Sequence, residues 1–257
     1  NKEFGNKIRS LFLPEEGKQW GSFDYSQQEP RLVAHYAAST NENFTGADDF
    51  IKAYHDEAAD FHQIVADMAG ISRTNAKTIN LGLFYGMGKA KLARELGISK
   101  DAAENLLSKY HTRVPFVKRL AEAVTNSASK YGFIRTVKGR KCRFNMWEPA
   151  TFGMNKAMQY TEAKATYGNN IRRAFTYKAL NRLIQGSAAD QTKQAMINCY
   201  KEGFQPLLQI HDELCFSINE ESDIVKVKEV MENAIEELKV PFKVDLALGR
   251  SWGEAKE

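Results

Sequence analysis

The sequence predicts an α+β fold in which a small antiparallel sheet joins a larger set of helices, and three observations carry that prediction. The stretch KQWGSFDYS (18–26) alternates as a strand does, with Trp20, Ser22 and Asp24 on one side and Gly21, Phe23 and Tyr25 on the other. PLLQIHDELCFSI (206–218) alternates on either side of an acidic interruption, the pattern of a hairpin with His211, Asp212 and Glu213 at its tip. Between these two lie long stretches with helical spacing.

In chain order, Pro30 suits the first turn of a helix through RLVAHYAAS, because the missing N–H is unused there, and Glu29 is thereby fixed at a strand-to-helix junction. Further helical patterns fall at 49–69, 72–85, 88–96, 100–129, 155–176 and 180–202. A helix over 222–239 and a strand over 242–248 close the pattern. No internal repeat and no low-complexity linker interrupts it.

The chain has 257 residues, 43% hydrophobic and 26% charged, enough for one core unit and a mobile subdomain. No apolar run approaches the length of a membrane span and no secretory signal is visible. The opening NKEFGNKIRSLF, without a methionine, reads as part of something longer or as a processed product. Cys142, Cys199 and Cys215 are odd in number, widely separated and free of a CxxC pattern, which points to reduced thiols in a cytoplasm and away from zinc. The net charge of +4 separates few function classes. Its distribution says more. RTVKGRKCR (135–143) holds five cations and no acid, a second basic stretch runs through Lys164, Arg172, Arg173, Lys178 and Arg182, and the last forty residues are acidic. Such a flank suits a polyanion, and equally a solvated face.

Asp24 ends an otherwise apolar strand, and Asp212 and Glu213 interrupt an apolar hairpin, so three acids sit where burial disfavours charge. Two carboxylates about 4 Å apart repel by roughly 4 kcal/mol at an effective dielectric near 20, a repulsion that a divalent cation reverses. All-oxygen ligands favour magnesium or manganese. A plain polar hairpin turn accounts for the same residues. In RTNAKTINLGLFYGMG (73–88), Arg73, Lys77 and Leu81 fall on one helical stripe, placing two cations for phosphate oxygens. Gly82 and Gly86 leave a bare strip where a flat partner can approach, and Tyr85 beside it can stack on a base. An amphipathic helix that ends raggedly at glycines is the plainer alternative. A Walker loop is excluded, because Leu83 and Ala90 stand where glycine and Ser or Thr are required.

These stretches together resemble family A DNA polymerases, the bacterial DNA polymerase I group. DYSQQEPRLVAHYA resembles motif A, RTNAKTINLGLFYG motif B and QIHDELCF motif C. LNRLIQGSAADQTKQAM is similar to the segment between motifs B and C, and YGFIRTVKGRKCRF to the family's Gly-Tyr-x-x-Thr-x-x-Gly-Arg-Arg-Arg stretch. The resemblance runs from about residue 5 to the C-terminus, and the wording of SQQEPR is similar to phage-type members. It implies a palm over 1–48, fingers over 49–130 and palm again over 131–257, with thumb and exonuclease regions outside the chain. It makes Asp24 and Asp212 the metal-binding aspartates, with Glu213 the adjacent acid. Arg73, Lys77 and His62 would hold the triphosphate, Tyr85 would lie by the nascent base pair, Glu29 would act in sugar selection and Leu81 would face the sugar. Asn181, Gln185, His211 and Arg140 would contact primer and template. The implied activity is template-directed addition of deoxynucleotides to a primer 3'-hydroxyl with two magnesium ions, manganese being a substitute, in a cytoplasm that is a host's if the chain is phage-derived. The implied partners are primer-template DNA and deoxynucleoside triphosphates.

Leu81 replaces the family's Phe or Tyr, Thr74 a second basic residue and Tyr177 an Arg, and the stretch from His62 to Arg73 is short. Two other functions fit the same residues: a metal-dependent nuclease using Asp24, Asp212 and Glu213, and a module that binds primer-template without turnover.

Overall fold

A computed structural model describes residues 2–39, 47–55, 60–84, 87–151 and 156–256. The fold is α+β. In chain order the elements are α1 (Lys2–Arg9), β1 (Gln19–Tyr25), α2 (Gln28–Ser39), α3 (Ala47–Tyr54), α4 (Phe61–Ala69), α5 (Arg73–Phe84), α6 (Lys89–Leu96), α7 (Lys100–Arg113) and α8 (Pro115–Tyr131). They continue as β2 (Phe133–Arg135), β3 (Lys141–Arg143), β4 (Trp147–Pro149), α9 (Tyr160–Tyr167), β5 (Ile171–Arg173), α10 (Ala179–Lys201), β6 (Leu208–Ile210), β7 (Glu213–Ile218), α11 (Glu221–Glu232) and β8 (Val244–Gly249). Single 3-10 turns cover Thr176–Lys178 and Glu254–Lys256.

The chain divides into two units, Asn1–Leu32 with Ala188–Glu257, and Val33–Ser187. The first is built on an antiparallel sheet in the order β6-β7-β1-β8. Register puts Phe23 opposite Leu214 and Leu246, and Gly21 opposite Phe216 and Leu248, so one face is apolar. Phe23 and Phe216 meet edge-on at 5.7 Å there, and the Tyr25 hydroxyl donates to the carbonyl of Met231 in α11 at 2.6 Å. The opposite face carries Trp20, Ser22 and Asp24, opposite Ser217, Cys215 and Glu213. It is covered too: Ala255 packs on Trp20 and Cys215, with Leu208, Ile210, Ala247 and Trp252 around them. A central strand buried on both faces explains why Trp20 and Phe23 are equally inaccessible despite their alternation.

The second unit is mainly helical. Ala128, Ile134, Phe144, Ala179 and Leu183 form one core cluster, flanked by Tyr36, Val124 and Cys142. That cluster ties the β2–β3 ribbon and the start of α10 to α8. Gly186 makes this close packing possible, since a Cβ there would stand 2.8 Å from Cγ2 of Thr136.

Several expected elements differ. The helix over 100–129 is two, because Pro115 pushes Val114 out of helical geometry, to φ −126° and ψ 60°. The helix over 49–69 is likewise two, with Asp60 capping the second through the N–H groups of His62 and Gln63. Of the described residues in 155–176, Tyr160–Tyr167 alone are α-helical; Gly168 ends that helix at φ +64°, and Ile171–Arg173 pairs instead with Trp147–Pro149. The helix expected to reach 239 stops at Glu232, where the Asn233 side chain bonds back to the carbonyl of Glu229 at 2.8 Å. Glu213 is the first residue of β7, which leaves His211 and Asp212 as the hairpin tip. Among the described residues, no helix is long and apolar enough to cross a membrane.

Candidate active site

In the first unit the strand ends gather acids by register alone. Asp24 lies opposite Glu213 on β7 and opposite Asp245 on β8. His211 takes φ +52°, a left-handed conformation that turns β6 into β7, and the Asp212 carbonyl then accepts from the N–H of Tyr25 at 3.3 Å. Asp212 is thereby seated beside Asp24. Burial, then the neighbouring Asp212, push the Asp24 carboxyl up to about 6, with Glu213 and Asp245 adding to the rise and Lys256 opposing it. Burial also raises Asp212.

Lys256 was not legible as a site residue. Its Nζ lies 3.1 Å from Glu213 Oε2 and 3.9 Å from Asp24 Oδ2. Glu213 is held from below as well. The Trp20 indole donates to Ser22 Oγ at 3.1 Å, Ser22 Oγ lies 3.7 Å from Cys215 Sγ, and that thiol donates to Glu213 Oε1 at 3.5 Å. Burial first, and Glu213 next, push the Cys215 thiol up to about 12, so it keeps its proton to donate. All three cysteines are free thiols.

Asp24 and Asp212 suit a hard divalent cation: both are oxygen donors, crowded together, with charge that burial leaves undercompensated. Among the described residues no group of three His, Cys, Asp or Glu side chains could hold a metal ion. Two carboxylates are enough for a hard divalent cation whose remaining positions water fills. Glu29 lies in the first turn of α2. Beside it, Gln28, which the sequence reading passed over, donates to Gln191 Oε1 at 3.1 Å and Thr192 Oγ1 at 3.2 Å, tying α2 to α10.

In the second unit Arg73 and Lys77 stand exposed on α5. Arg73 is paired with Asp60, its Nη2 2.6 Å and its Nε 2.8 Å from Oδ2. His62 is buried, and its proton position follows from its neighbours. Tyr110 donates to Asn80 Oδ1 at 2.6 Å, so the Asn80 amide donates to His62 Nδ1 at 3.2 Å and the imidazole proton sits on Nε2. Burial holds the His62 pKa below its usual value, with Lys77 and Arg73 lowering it and Asp60 opposing them. At Gly82 a Cβ would stand 2.8 Å from Met87 Sδ, so the Met87 side chain lies against this glycine. Tyr85 and Gly86 lie outside the described residues, as does the side chain of Leu81.

On the ribbon, Arg140 Nη2 donates to the Gly186 carbonyl at 2.8 Å. Asn181 Nδ2 is buried with no hydrogen-bond partner among the described residues, and Gln185 is exposed one turn along α10. Much of the second basic stretch is used internally. Arg172 pairs with Glu148 at 2.9 Å, while Arg173 and Arg182 donate to the carbonyls of Phe144 and Arg143, each at 3.0 Å.

The fold is that of a polymerase domain. Over 99% of the chain it matches the POL domain of Pol1 from M. smegmatis in complex with DNA primer-template and dNTP, at a TM-score of 0.76 and 32% identity, covering 44% of that structure. The family model for DNA polymerase family A matches residues 1–254, and the chain belongs to that family. It is 36% identical over 98% of its length to the DNA-directed DNA polymerase of Pseudomonas phage M6, covering 41% of that protein. It is also 36% identical over 99% of its length to DNA polymerase I of Lactococcus lactis subsp. lactis, covering 28% of it. The chain thus spans less than half the length of these relatives.

Proposed function

We propose that this chain carries the nucleotide-adding centre of a template-directed DNA polymerase, lengthening a primer 3'-hydroxyl with deoxynucleoside triphosphates. The observation that carries this reading is the meeting of Asp24, Asp212 and Glu213 at one end of the sheet, in a chain of this family. Magnesium ions held by Asp24 and Asp212 would activate the primer hydroxyl and neutralise charge on the departing pyrophosphate. Arg73 and Lys77 offer charged donors to the triphosphate, joined by Nε2–H of His62, the proton that Asn80 leaves on that nitrogen. Asn181, whose Nδ2 has no partner among the described residues, together with Gln185, Arg140 and His211, would meet primer and template. Glu29, Leu81 and Tyr85 would bound the sugar and base. The palm assignment goes to the strands that bear the aspartates and the fingers assignment to α4 and α5.

The test is single-nucleotide extension of a labelled primer-template by the chain, with magnesium and with manganese. Extension by the complementary nucleotide alone is expected. Strand shortening would favour a nuclease, and DNA binding without extension a module lacking turnover.

A further inference from the structure

The geometry points to Lys256 as a tethered counter-ion that holds Glu213 and Asp24 in the metal-free chain and competes with the incoming divalent cation for them. This inference rests on the proposed reading of Asp24 and Asp212 as cation ligands. Three features place the ammonium rather than leave it to chance. Ala255, next in the chain, is buried against Trp20 and Cys215 on the site's own face of the sheet. Its N–H bonds to the Ser251 carbonyl at 3.1 Å, closing a turn that brings residue 256 over the strand ends. Gly249 and Gly253 let this segment lie close, since a Cβ would come within 2.7 Å of the Ala255 nitrogen at the first and 2.8 Å of the Ser10 nitrogen at the second.

The ion pair is not an ordinary surface contact. Glu213 keeps only 7% of its side chain exposed and Lys256 28%, so the pair is largely withdrawn from water. The same ammonium lies 3.9 Å from Asp24, so one cation serves acids on two strands. A divalent cation drawn to those acids meets a fixed like charge. Binding then requires Lys256 to withdraw, which its flexible stem permits.

The experiment measures manganese affinity of the chain by calorimetry and by electron paramagnetic resonance, without DNA or nucleotide. Lys256→Met keeps the aliphatic stem and removes the charge. It is expected to tighten manganese binding by at least about tenfold, the scale of a single and a double charge roughly 6 Å apart even at the dielectric of water. Lys256→Arg, which retains the charge, should bind manganese as the parent does. In chelator the Met variant should melt below the parent, and manganese should raise its melting temperature more. Unchanged or weaker manganese binding by Lys256→Met, while Asp24→Asn abolishes it, would overturn the counter-ion role alone. Binding that survives both Asp24→Asn and Asp212→Asn, or no binding by the parent, would overturn the reading of the aspartates and this inference with it.

Discussion

Replacing Asp24 with asparagine should stabilise the metal-free chain while ending nucleotide addition. Burial and the Asp212 charge lift the Asp24 carboxyl from its ordinary 3.8 to about 6, so the folded state disfavours the ionised form. At 1.36 kcal/mol per pKa unit, the rise corresponds to about 3 kcal/mol at neutral pH. Asp24 keeps 44% of its side chain exposed, and solvent screening reduces that figure to about 1 kcal/mol. The sign follows from linkage. A carboxyl raised on folding favours the folded state at pH below 3.8, and that support is lost as pH rises through about 6. Asparagine carries no such penalty, so its advantage should be full above pH 7 and shrink towards pH 4. Urea unfolding in chelator at pH 7.5 and pH 5 measures it, with melting expected about 2–4 °C higher for the variant at pH 7.5. Magnesium should reverse the order by stabilising the parent alone. A variant less stable than the parent at pH 7.5, or an advantage independent of pH, would refute the reasoning.

Lys77→Ala should weaken nucleotide binding and turnover while leaving duplex affinity nearly unchanged, a contrast read by nucleotide titration beside gel-shift assays. Leu81→Tyr should relax discrimination against dideoxynucleotides, since a tyrosine hydroxyl can stand in for the missing sugar hydroxyl; the ratio of deoxy to dideoxy incorporation checks it. Gly186→Ala would set a methyl 2.8 Å from Thr136 and should destabilise the second unit by roughly 1–3 kcal/mol, measurable by urea unfolding.

The elements read correctly from the sequence are those whose own residues decide them. KQWGSFDYS carries its alternation in full, and α5 and α10 are long enough for helical spacing to speak. Asp24, Asp212 and Glu213 stand out as candidates because an acid in an apolar strand is conspicuous. The misreadings arose where a distant partner or a turn residue decides. Ile171–Arg173 is a strand only because Trp147–Pro149 lies beside it, and no local pattern announces that pairing. Pro115 did signal the break between α7 and α8, and helical spacing on both sides hid it. Lys256 had no signal: its position depends on where Ala255 finds burial. Gly82 was legible as a close approach, and Met87, five residues on, lies against it.

The polar line beneath Glu213 binds three positions, 20, 22 and 215, into one unit of sequence change. Its hydrogens run one way, from the Trp20 indole to Ser22, from Ser22 to Cys215 and from Cys215 to the carboxylate. Losing the sulfur, as in Cys215→Ala, strands the buried Ser22 hydroxyl hydrogen and removes a donor from Glu213. Losing the hydroxyl, as in Ser22→Ala, strands the indole N–H of Trp20 instead. Cys215→Ser preserves the direction of the line with a stronger donor. Exchange at 215 is therefore tolerated when an O–H or S–H remains, and an apolar residue there is accommodated only if positions 22 and 20 change with it.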